Sequence, residues 1–147
     1  MTNVILDTNV LLLFGQKGMD VFAEIGRAMQ ERYEFTVPEL VLAELERLGK
    51  KASRDGRAAK LAYTLVHERL KMKHEPLVAK LLFRKEIPLK TVPCSEHHAD
   101  DAILRIAEGD AAHTIVATLD KGLQRRLLDK GVRILTVRQQ GFKILKR

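Results

Sequence analysis

Twice in this 147-residue chain a short, apolar, β-branched run stops at a threonine and an aspartate. Val4-Ile5-Leu6 gives way to Asp7-Thr8-Asn9, and Ile115-Val116-Ala117 gives way to Thr118-Leu119-Asp120. Each run reads as a buried strand ending in a polar turn that caps a helix. Strands buried on both faces belong to parallel sheets covered by helices, and ligands of such sheets bind at the carboxyl ends of the strands. Asp7 and Asp120 are therefore placed where chemistry is expected. Each also has a plain structural use, because aspartate is a favoured N-cap.

The segments between the two runs fit the same architecture. Residues from about Asp20 to Glu31 carry Val21, Phe22, Ile25, Ala28 and Met29 at helical spacing, and Glu34 to Val37 reads as a strand. Pro38 opens a helix to Leu48 as its first residue. Gly49 to Arg57 reads as an exposed basic loop, leading into a helix from Arg57 to Leu70 packed through Ala58, Leu61, Ala62, Leu65 and Val66. Lys71 to Pro93, punctuated by Pro76, Pro88 and Pro93, is a connecting region with room for one strand. A helix through Ala107 follows, then the second strand–turn unit with a helix through Leu128, and Gly131 to Val137 supplies a last strand. The alternation predicts one domain over residues 1–147, a three-layer α/β/α sandwich with a mostly parallel central sheet.

Composition narrows the function classes. With 46% hydrophobic and 31% charged residues the chain has the balance of a folded globular domain. Its longest apolar run, Val10 to Phe14, is far short of the roughly 20 residues that cross a bilayer, and the first strand starts too early for a leader, so a cytoplasmic location is expected. The single cysteine, Cys94, excludes a disulfide framework and a cysteine-based zinc site within one chain, and reads as a small core residue. A net charge of +7 suits a polyanionic partner. The densest positive cluster is Lys50, Lys51, Arg54, Arg57 and Lys60, either a solvated face or a set of phosphate contacts; Lys121, beside Asp120, joins it as a candidate RNA contact.

Two acids break the helical pattern. On the Pro38–Leu48 helix, Leu40, Val41, Leu42, Leu45 and Leu48 form an apolar face, and Glu44 falls inside it. On the helix that includes Ala102, Ile103, Leu104, Ile106 and Ala107, Asp100 projects into the apolar face while Asp101 lies at its polar edge, where it complements the helix dipole. A carboxylate in such a place must be paired, protonated or bound to a cation. With no evident buried arginine or lysine for Asp7, Glu44, Asp100 and Asp120, a hard divalent cation, Mg²⁺ or Mn²⁺, is the natural common partner. Inside a basic protein such a pocket suits a phosphodiester. His97 and His98 are read as ordinary first-turn residues.

The order Asp7-Thr8-Asn9, then Glu44 in Val41-Leu42-Ala43-Glu44-Leu45, then Ala99-Asp100-Asp101-Ala102-Ile103-Leu104, then Ala117-Thr118-Leu119-Asp120 resembles the PIN-domain family of ribonucleases over nearly the whole chain. The resemblance implies a three-layer fold and Mg²⁺- or Mn²⁺-dependent, usually endonucleolytic, cleavage of single-stranded RNA or of single-stranded sites in structured RNA. It makes Asp7, Glu44, Asp100 and Asp120 the catalytic, metal-binding acids. Asp101 is a further candidate ligand, and Thr8, Asn9 and Thr118 are the polar residues that orient them. The Asp100-Asp101 pair looks like the branch associated with ribosomal RNA processing; the toxin half of toxin–antitoxin pairs is the other large branch. Homodimerisation and an antitoxin or ribosome-assembly partner are the associations it implies. Two alternatives compete. A PIN-like module that binds RNA or protein without cutting would be indifferent to loss of the acids. A receiver or haloacid-dehalogenase phosphatase is disfavoured, because Asn9 stands where the phosphatase needs a second aspartate and no acidic pair precedes Asp7.

Overall fold

A computed structural model describes residues 1–71, 87–139 and 141–146. The described elements are β1 (Thr2–Leu6), α1 (Thr8–Leu11), α2 (Leu13–Gln16), α3 (Val21–Ala28), β2 (Tyr33–Pro38), α4 (Glu39–Gly49), α5 (Arg54–Lys71) and β3 (Leu89–Val92). These are followed by α6 (Ala99–Glu108), β4 (Thr114–Ala117), α7 (Lys121–Asp129), β5 (Arg133–Arg138) and β6 (Gly141–Leu145). The strands form one sheet in the order β3-β2-β1-β4-β5-β6, parallel throughout except for the antiparallel β5–β6 pair. Helices cover both of its faces, giving the expected three-layer α/β/α sandwich.

The core follows from the apolar runs. Val4, Ile5, Leu6, Ile115, Val116 and Ala117 are all fully buried, as the two central strands of a doubly covered sheet must be. Leu6 pairs with Ala117, so β1 and β4 end side by side. Sheet order reverses between these strands, because the chain winds outward from β1 to β3 and then returns to β4 on the other side. That is the switch point at which open α/β sheets leave a crevice.

Several boundaries differ from the sequence reading. Pro38 pairs with Val92 as the last residue of β2 and occupies the N-cap position of α4, one residue before the helix begins. Asp20 caps α3, which stops at Ala28 with Met29 in extended backbone. The basic loop is shorter than expected, since α4 runs through Gly49 and α5 starts at Arg54. The tight α4–α5 turn depends on Gly56: a Cβ there would stand 2.0 Å from the Lys51 carbonyl oxygen. On α4 only Val41 and Leu45 are fully buried, with Leu40, Leu42 and Leu48 half-buried. On α5 Ala59 takes the inward place expected of Leu61, which is exposed. Cys94 is half-buried rather than a core residue. His113 lies in a 3₁₀ turn, Ala111–His113, just before β4. Val137 is not the end of the sheet, because β6 pairs back onto β5 as an edge strand. The one strand allowed between Lys71 and Pro93 is β3; the rest of that connecting region, residues 72–86, lies outside the described residues.

Candidate functional site

The carboxyl edge of β1 and β4 gathers the polar residues that the two strand–turn units carry. Asp7 is the N-cap of α1, with its backbone extended at φ −84 and ψ 159 and its side chain accepting from the Thr8 amide at 2.8 Å. Its own amide donates to the Ala117 carbonyl at 3.0 Å, which ties the end of β1 to the end of β4. Asp7 Oδ2 accepts from the Thr118 hydroxyl at 2.7 Å and from Asn9 Nδ2 at 3.3 Å. Asp7 is therefore both the N-cap of α1 and the point where hydrogen bonds from Thr8, Asn9 and Thr118 converge.

The neighbours of Asp7 are themselves held. The Asn9 amide oxygen accepts from the Leu119 amide at 3.0 Å, and Thr118 Oγ1 accepts from the Asp120 amide at 3.1 Å. Asp120 in turn caps α7 by accepting from the Leu123 amide at 3.0 Å. From beneath, buried Gln124 donates to the Thr118 carbonyl at 2.7 Å and to the Thr136 hydroxyl at 3.2 Å, fixing the β4–α7 turn to β5. Thr8 completes the set: its hydroxyl donates to Glu44 Oε2 at 2.9 Å, drawing the half-buried acid of α4 toward the end of β1. Asp-Thr-Asn is thus a bracket in which each residue aims a different neighbour.

Electrostatics shows that these acids share one field. Asp7 is pushed up to about 6, chiefly by burial, with hydrogen bonds from Thr118 and Thr8 opposing and the charges of Asp100 and Glu44 adding to the rise. Asp100, half-buried in the first turn of α6, is also raised, by burial first and then by Asp120; Arg126 pulls the other way. Among the described residues no three carboxylate, imidazole or thiol groups form a ready-made metal cage, and what links the acids around the ring is the charge Asp7 and Asp100 feel from their neighbours. The donors still fit a hard divalent cation. They are all carboxylate oxygens, and the charges of Asp100 and Glu44 add to the rise at Asp7.

The remaining sequence-derived candidates separate. Asp101 is exposed and faces Arg126 at 3.6 Å, so it does not line the cleft that Asp100 and Glu44 share. Lys50 and Lys51 lie in the α4–α5 turn, while Arg54 and Arg57 lie on the first turn of α5, all exposed. Arg54 reaches the Gln16 carbonyl at 3.4 Å. Lys121 is exposed at the start of α7, next to Asp120. The sequence reading of His97 and His98 as first-turn residues needs correction: α6 begins at Ala99, and both histidines line the cleft beside Glu44 and Asp100, together with Arg47. Their closeness in sequence to Asp100 was the available signal.

A three-layer α/β sandwich with carboxylates from both halves meeting at its switch point defines the class. The chain belongs to the PIN-domain family: the family model described as PIN like domain matches residues 4–80 and 77–140. It is 32% identical to ribonuclease VapC4 of Methanocaldococcus jannaschii over 142 residues, 97% of this chain and 95% of that protein. Its fold is also similar to that of the PIN domain endonuclease Utp24, with TM-score 0.69, 24% identity, and coverage of 99% of this chain and 92% of that one. A domain of a functionally unknown protein from Methanocaldococcus jannaschii superimposes with TM-score 0.62 at 16% identity, covering 95% and 93% of the two chains. Among the described residues no helix is long and apolar enough to cross a membrane.

Proposed function

We propose that the chain is a divalent-metal-dependent ribonuclease that cuts phosphodiester bonds within single-stranded RNA. The observation that carries this reading is the convergence of Asp7, Glu44, Asp100 and Asp120 at the β1/β4 edge, where burial, with a smaller contribution from the charges of Asp100 and Glu44, pushes Asp7 up to about 6. The relatives named ribonuclease and endonuclease support it. Asp7, Glu44, Asp100 and Asp120 would hold Mg²⁺ or Mn²⁺, with Asp7 and Glu44 fixed in advance by Thr118, Asn9 and Thr8. Once bound, such a cation supplies Lewis acidity toward a phosphodiester oxygen and an attacking water.

The chain's own residues prepare the rest. Thr118 donates its proton to Asp7 and accepts from the Asp120 amide, so one side chain links the ends of the two strand–turn units. Asp7 must shed its proton to bind a cation, so metal loading would weaken as pH falls. Lys50, Lys51, Arg54, Arg57 and Lys121 are the candidate contacts to flanking phosphates. The test compares wild type with Asp7→Asn on a labelled single-stranded RNA in Mn²⁺, in Mg²⁺ and in EDTA, after removal of contaminating nucleases. Cleavage that requires metal and disappears in the variant is expected. RNA bound but left intact by folded, metal-loaded wild type would replace the nuclease with a binding module.

A further inference from the structure

Beside the ring of acids lies a cleft of about 530 Å³, walled by α4 on one side and by the segment leading into α6 on the other. Glu44 and Asp100 form the end shared with the carboxylate ring. Leu40 and Ala43 add a small apolar wall, and Arg47, His97 and His98 supply the remaining polar groups. The volume lies in the range of sites for single small ligands. Arg47 is one helical turn beyond Glu44 on the same helix, so its guanidinium follows the acid along the cleft. Among the described residues Arg47 has no ion pair, and neither His97 nor His98 has a side-chain hydrogen bond. A cation and two planar rings, uncommitted within the fold and next to the acids, call for a ligand with both charge and a flat face.

We infer that this cleft is a nucleotide subsite, which takes one unpaired nucleotide next to the bond held at the carboxylates. Arg47 binds its phosphate, and the base lies against His97 and His98. The inference rests on the ribonuclease reading and adds to it where the substrate runs and why it must be single-stranded. Unstacked bases are recognised by packing on aromatic and imidazole rings, whereas a base inside a duplex has no free face to offer. Guanidinium is the side chain best matched to phosphate oxygens.

The test uses Arg47→Ala, Arg47→Lys and the double variant His97→Ala/His98→Ala, with exposed Arg138→Ala on β5 as control. Binding of a fluorescein-labelled, unstructured 12-nucleotide RNA is followed by polarisation in Ca²⁺, with the same RNA annealed to its complement as competitor. Cleavage of the single strand is followed in Mn²⁺. Loss of one stacked base or phosphate contact is expected to weaken binding and raise KM by about tenfold, with kcat changed by less than about threefold. Arg47→Lys recovers part of the loss, Arg138→Ala changes nothing, and the duplex competes poorly. Wild type that cuts, with variants that keep its KM and affinity, overturns the subsite and leaves the nuclease reading standing. Wild type that binds without cutting, with variants that lose binding, upholds the subsite and removes the nuclease. Absence of both binding and cutting removes both. A Mn²⁺-induced thermal shift abolished by the histidine variant would make the imidazoles metal ligands and overturn the assignment to RNA.

Discussion

Asp7 carries the clearest conflict in the molecule. Its carboxyl is buried, surrounded by hydrogen-bond donors, and pushed up to about 6. The folded state therefore binds more protons than the unfolded chain between about pH 4 and 6, and the metal-free protein loses stability as pH rises through that window. Asp7→Asn removes the charge. The substitution is expected to stabilise the metal-free protein at pH 7.5 by about 1–2 kcal/mol, less than the full linkage value because an amide matches Thr118 and Asn9 poorly. At pH 4 the gain disappears, and thermal melts of both proteins across pH 4–8 show whether the difference follows this course. Thr118→Val acts oppositely. It leaves Asp7 Oδ2 with only the longer bond from Asn9 and the Asp120 amide without the Thr118 acceptor, for an expected loss of about 1–3 kcal/mol. Urea unfolding measures that loss, and cleavage is expected to fall by more than about tenfold as the two acids lose their common tie.

At the scale of elements, the α4–α5 hairpin depends on closeness at Gly56. Gly56→Ala places a methyl group against the Lys51 carbonyl, which is backbone and cannot move aside, so the turn must open. A loss of about 1–3 kcal/mol is expected by chemical denaturation, together with weaker RNA binding as Lys50 and Lys51 shift relative to Arg54 and Arg57. Buried Gln124 plays a similar part between α7 and β5. Gln124→Leu strands the Thr118 carbonyl and should cost about as much as Thr118→Val while leaving every acid in place.

Elements also show what could be read from the chain alone. Strands β1 and β4 announce themselves because burial on both faces demands uninterrupted apolar runs, and Glu44 and Asp100 stand out because a helix wheel exposes a charge on the wrong face. Arg47, His97 and His98 do not, because polar residues at exposed positions carry no periodic signal and acquire meaning only when another element stands opposite. The β5–β6 hairpin escaped for a different reason. Its turn uses Gln139 in the left-handed region at φ 55, where the legible signal is Asn-Gly or Asp-Gly.

For the molecule as a whole, a cation bound by the ring should raise stability by mass action. A rise in Tm with Mn²⁺ concentration is expected in wild type, reaching about 2.7 kcal/mol of added stability at a hundredfold excess over Kd, and much reduced in Glu44→Gln. The net charge of +7 adds a second whole-molecule expectation: RNA affinity falls steeply with salt, and each phosphate contact removed from Lys50, Lys51, Arg54 or Arg57 flattens the log–log slope by about 0.7.

The hydrogen bond from Thr118 to Asp7 joins residues 111 positions apart. On a ribosome that separation becomes time. Strand β1 emerges with Asp7 at its tip, yet the hydroxyl that aims it, carried just past the strand that must lie beside it, emerges only 111 residues later. Whatever chemistry the ring performs is therefore withheld from an incomplete polypeptide. A chain that acts on RNA while surrounded by the RNA of its own synthesis would gain, from strand order alone, a safeguard against cutting too soon.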